Sequence, residues 1–144
     1  IAEFLYRVVR EREAQPMLFD YIIGCIKSLD SMSDKAAANF HLYFTINIAR
    51  FLGFYPENEY FDDSFFDIAL CKFVVIKPLH LNYISADGSR LMGDLLKINL
   101  EHLSELQLNR EKRRYLLQNI ISFFGYHHDT VYKIESVKIL SEVF

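Results

Sequence analysis

The stretch Asp34–Leu52 constrains the fold more than any other part of this 144-residue chain. Phe40, Leu42, Tyr43, Phe44, Ile46, Ile48, Ala49, Phe51 and Leu52 would fall on every side of a helix rather than along one stripe. A helix that is apolar all round has to be enclosed by other elements. Asp34 is expected to cap it, and Gly53 to end it in the left-handed conformation. Its polar residues Asn39, His41, Thr45, Asn47 and Arg50 share no face. Some of them must then be buried with hydrogen-bond partners, or must line an opening.

The flanking segments supply the enclosure. A first helix over 1–13 puts Phe4, Leu5, Val8 and Val9 on one face, and Pro16 suits the first turn of a second that carries Leu18, Phe19, Ile22, Ile23, Cys25, Ile26 and Leu29. After Ser85, as a cap, Leu91, Met92, Leu95, Leu96, Leu100 and Leu103 continue one stripe to about Leu108. Asn109 caps a further helix to about His128, with Leu116, Leu117, Ile120, Ile121, Phe123 and Phe124 inward. A last turn after Ser136 docks Val137, Leu140 and Phe144. Helical periodicity is lost over 54–85, where Pro56 and the run Cys71–Ile76 predict a small hairpin. The reading is a single all-α domain over 1–144, a bundle around a central helix at 35–52, with an irregular, hairpin-like insert.

Charge separates along this frame. The chain carries −3, but Glu57, Glu59, Asp62, Asp63 and Asp67 concentrate five acids without a base, which leaves the remainder at +2. Arg110, Lys112, Arg113 and Arg114 oppose only Glu111, a local +3. That distribution argues against indiscriminate coating of nucleic acid and leaves room for a local phosphate site. An apolar fraction of 51% excludes a disordered chain, and no apolar run reaches the roughly 18 residues of a membrane-spanning helix. Cys25 and Cys71 are too few for a disulfide framework or a four-cysteine zinc site. With no signal-peptide pattern, the expectation is a cytoplasmic protein, and the opening Ile1-Ala2-Glu3 suggests a fragment of a longer one.

Three groups of side chains are candidates for function. Bases at the start of a helix oppose its dipole, and a bound phosphate would use both them and the free N–H groups; a solvated face balanced by Glu111 is the plainer account. Arg50, in the last turn of the apolar helix beside Phe44, Phe51 and Leu52, either complements that helix's carbonyls or offers a peptide carboxylate a guanidinium at the edge of an aromatic pocket. His127, His128 and Asp129 suit a metal-dependent phosphohydrolase of all-α type, or simply histidines at a helix C-terminus. Cys71, the loop thiol, has no sequence neighbour that would activate it. The acidic run lacks the ligand spacing and mid-loop Gly of a calcium loop.

Arg50-Phe51-Leu52-Gly53-Phe54-Tyr55-Pro56 is similar to the Leu-Gly-Tyr-x-Pro turn of the bacterial recombination mediator family RecO. Ala2-Glu3-Phe4-Leu5-Tyr6 and Ala38-Asn39-Phe40-His41-Leu42 resemble its Bacteroidetes branch, and Ile134–Leu140 its closing segment. The resemblance covers essentially the whole chain. It implies the helical C-terminal domain of a non-enzymatic DNA repair protein, with an OB-fold domain upstream. Its partners would be single-stranded DNA, the acidic tail of single-strand-binding protein, and RecR, in strand annealing and recombinase loading. Zinc-bearing members carry two Cys-x-x-Cys pairs after that turn, where this chain has only Cys71. Neither zinc nor another cofactor is expected, and the insert should be held by packing. On this reading Arg110, Lys112, Arg113 and Arg114 meet DNA phosphates, while Arg50, Phe44, Phe51 and Leu52 receive the tail peptide.

Overall fold

A computed structural model of the chain describes residues 1–9 and 15–128. These form helices α1 (Ala2–Val8), α2 (Pro16–Leu29), α3 (Asp34–Leu52), α4 (Ala86–Lys97) and α5 (Arg110–His127), with a 3-10 helix at Leu100–Glu105. Strands β1 (Phe65–Asp67), β2 (Lys72–Val74) and β3 (Tyr83–Ile84) lie between α3 and α4. The expected turn after Ser136 lies outside the described residues, and the first helix is shorter than expected, ending at Val8 with Val9 in extended backbone.

α3 buries Phe40, Leu42, Phe44, Ile46, Ile48 and Ala49, and it packs on α2, α4, α5 and the 3-10 helix. Its cap is Ser33, one residue earlier than expected: the hydroxyl accepts from Ala36 N at 3.4 Å. Asp34 sits instead in the first turn, where a carboxylate suits the helix dipole. Gly53 ends the helix at φ 83°, as expected, and Phe54 N donates to Ala49 O. The polar residues of α3 are mostly buried and bonded. Asn39 Nδ2 donates to the carbonyls of Leu103 and Leu106, both at 3.0 Å, and Asn47 Nδ2 donates to Tyr43 O at 2.9 Å.

Those two carbonyls mark a correction. The leucine stripe does not run unbroken to Leu108, because α4 stops at Lys97 and Ile98 and Asn99 take extended backbone. Leu100 and Leu103 keep a spacing of three, which a 3-10 helix places on one edge. Asn39 then holds the end of that segment, so tertiary contact overrides the helical pattern.

The insert is also more than a hairpin. β1 lies between β2 and β3 in an antiparallel sheet, with Phe66 opposite Phe73 on one side and Ile84 on the other. All three side chains are buried, and the Phe66 ring meets Phe73 at 5.1 Å and Phe123 of α5 at 5.7 Å. Phe54 and His127 stack beside them, 4.9 Å apart and 16° from parallel. Aromatic packing on α5 holds the sheet in place.

A charged groove between two helices

α4 and α5 approach closely at Gly88. A Cβ there would collide with Ile84 and stand 2.9 Å from Asn119 Nδ2 and 3.2 Å from the Tyr115 ring. Beside that contact lies an open groove of about 880 Å³. Arg90, Leu91, Asp94 and Lys97 line it from α4, Lys112 and Tyr115 from α5, and Glu105–Leu108 from the connection. Arg90, Lys97 and Lys112 form no ion pair among the described residues; the Lys97 ammonium stands 5.2 Å over the Tyr60 ring. Glu105 is engaged by His102 Nδ1 at 2.8 Å. The Tyr115 hydroxyl lies 3.0 Å from Ser85 Oγ, which therefore anchors that ring and makes no side-chain cap for α4.

Asn109 caps α5 as expected, its Oδ1 accepting from Lys112 N at 2.8 Å. The four bases that follow do not form one surface. Arg110, Lys112 and Arg114 are exposed, whereas Arg113 is half-buried and its Nη1 donates to Leu108 O at 2.7 Å. Arg113 also faces His41 of α3, whose pKa falls to about 4, chiefly through burial and next through this guanidinium. It fastens the turn to the core.

Arg50 is exposed at the end of α3. Its Nε donates to Asn47 Oδ1 at 2.9 Å, and its Cζ lies 3.7 Å above the Tyr55 ring. Phe51 and Leu52 are half-buried beside it, but Phe44 is fully buried and cannot touch a docked peptide. Phe44 supports the patch from beneath, stacked on Tyr21 at 5.7 Å, and Tyr21 in turn meets Phe51 at 5.2 Å.

His127, a candidate metal ligand, is committed elsewhere. Its Nε2 donates to Ile68 O at 2.8 Å and lies 3.3 Å from Cys71 Sγ. His128 forms the C-cap of α5, and Asp129 lies outside the described residues. Among the described residues no three His, Cys, Asp or Glu side chains gather as metal ligands would. Burial pushes the Cys71 thiol up from its ordinary pKa, aided by Glu57 and Asp67, so no activated nucleophile stands there.

Sequence reasoning missed Arg90, Lys97, Tyr115, Tyr21 and Tyr55. The first two were visible, since a spacing of seven puts both on one helical face. Tyr21 and Tyr115 gave no signal, because their partners Phe44 and Ser85 are distant in sequence, whereas Tyr55 lies five residues from Arg50 in the quoted turn.

These features define a helical domain with a small antiparallel insert and a groove lined by charges of both signs. Residues 1–131 match the family described as Recombination protein O C terminal, and the chain belongs to that family. It is 34% identical over 145 residues to the "DNA repair protein RecO" of Azobacteroides pseudotrichonymphae, covering 100% of this chain and 60% of that one. The proteins of the same name from Phocaeicola vulgatus and Bacteroides fragilis are 32% and 34% identical, again over 100% of this chain and 60% of theirs. The chain thus spans about 60% of the length of these curated relatives. No solved structure matches it. Among the described residues, no helix is long and apolar enough to cross a membrane.

Proposed function

We propose that the chain, organised around α3 and following an OB-fold domain, is the non-enzymatic helical module of a cytoplasmic DNA repair and recombination mediator. It meets single-stranded DNA through the exposed bases Arg110, Lys112 and Arg114, with Arg113 holding their turn in place. The carrying observation is three exposed cations on the first turns of one helix, in a chain whose overall charge is negative. Phosphates there would gain from the side chains and from N–H groups with no intrahelical partner. Contacts of that kind read no bases, so binding should be salt-sensitive and sequence-blind.

The second docking surface is the patch of Arg50, Phe51 and Leu52 with Tyr55. A peptide that ends in an aromatic ring and a carboxylate, such as the tail of single-strand-binding protein, would set its ring on the half-buried apolar side chains and its charge on Arg50. RecR completes the set of partners, for strand annealing and recombinase loading. The test is anisotropy of a labelled single strand with Arg110→Glu/Arg114→Glu. The reading expects weaker binding and a flatter dependence on salt, and wild-type affinity with an unchanged slope would refute it.

A further inference from the structure

We infer that the α4–α5 groove is a track for single-stranded DNA, in which the Tyr115 ring stacks a base and Arg90, Lys97 and Lys112 hold neighbouring phosphates. This rests on the DNA-binding reading above and extends it from one helix start to a groove built by two helices.

Tyr115 is 39% exposed, with its hydroxyl anchored 3.0 Å from Ser85 Oγ and its ring edge laid against Gly88. An aromatic face fixed in this way stacks a base without first being ordered, and every base has a face to offer. The three cations come from two different helices, rim the same groove, and form no ion pair among the described residues. A partly exposed ring and cations from two helices lining one groove are the two contacts a single strand needs, for its bases and its phosphates.

The acids decide which nucleic acid fits. Asp87, Asp94 and Glu105 also line the groove, so its own charges cancel, and the gain for a nucleic acid has to come from stacking on Tyr115 and from where the cations stand. A duplex, with one charge per roughly 1.7 Å of axis and its bases already stacked, gains little from such a site. A single strand gains the stacking. A basic or amphipathic peptide would instead be attracted by the same acids, so the sign of their effect separates the two occupants.

The experiment titrates a labelled oligothymidylate against the full-length protein over a series of salt concentrations. Tyr115→Ser should weaken binding about tenfold with the salt slope unchanged, and Tyr115→Phe, which keeps the ring but loses its anchor to Ser85, should weaken it less. Arg90→Gln and Lys97→Gln should each reduce the slope by about 0.7, as loss of one single-strand phosphate contact does. Asp94→Asn should tighten binding. If the wild type binds and these variants bind as it does, the groove assignment is overturned while the helix-start site stands. Asp94→Asn that weakens binding of a basic peptide and leaves DNA affinity unchanged would assign the groove to a peptide. A wild type that fails to bind the oligonucleotide at low salt overturns both readings.

Discussion

Cys71 Sγ lies 3.3 Å from His127 Nε2, joining the β1–β2 turn to the last turn of α5 across 56 positions of chain. The same nitrogen donates to Ile68 O at 2.8 Å, and the imidazole is sandwiched among Phe54, Phe123 and Tyr126. A histidine that sequence offers as a ligand is in the fold a latch between sheet and bundle. His127→Ala should cost about 1–3 kcal/mol, for a lost hydrogen bond and ring contacts, read as a lower urea midpoint. The Cys71 thiol, shielded in the wild type, should alkylate faster in that variant. Unchanged stability and thiol reactivity would show that packing alone holds the insert.

Stability should fall in mild acid through His41. Its pKa in the folded protein, about 4, lies below the ordinary 6.5, so the fold favours the neutral ring. The contribution is complete above about pH 6.5 and is lost as pH falls from there towards 4, where the folded protein must bury a charge. The full shift corresponds to on the order of 3 kcal/mol. Arg113→Gln should lessen the loss by removing a repelling charge. Urea midpoints measured across this pH range check both, and a flat profile for the wild type counts against the account.

Two glycines should respond with opposite signs to the same substitution. Gly88→Ala drives a methyl into Ile84 and Asn119 and should destabilise by about 1–3 kcal/mol, despite the better helix propensity of Ala. Gly24 is exposed within α2 and a Cβ there meets nothing within 4 Å. Gly24→Ala should therefore stabilise by up to about 1 kcal/mol. Thermal melts of the two variants measure the difference.

Arg50→Ala should leave the melting temperature within a few degrees of wild type, since an exposed cation–π contact contributes only about 0.5–1 kcal/mol. Binding of an acidic tail peptide with a terminal aromatic should weaken at least several-fold in calorimetric titration. A collapse in stability would make Arg50 a structural residue.

The helices were legible where one face is apolar and the ends carry their own chemistry, as with Pro16, Gly53 and Asn109. What escaped depended on distant partners. The stop at Lys97 belongs with an amide of Asn39, 64 positions from the carbonyl it holds at Leu103. The third strand is two residues long, too short for any periodicity. Arg113 reads like its neighbours in sequence, yet it points at the core because Leu108 O and His41 stand on that side. For the same reason the four-base run was found while its division into three exposed bases and one anchor was not.

The pair of hydrogen bonds from Asn39 has an architectural consequence. One lip of the groove, from Glu105 to Leu108, hangs from the bundle interior beside a single carboxamide rather than growing out of α4. On that lip Glu105 and Gln107 are exposed and can be exchanged in charge without touching the core, whereas Leu106 is buried in it and keeps the lip in place.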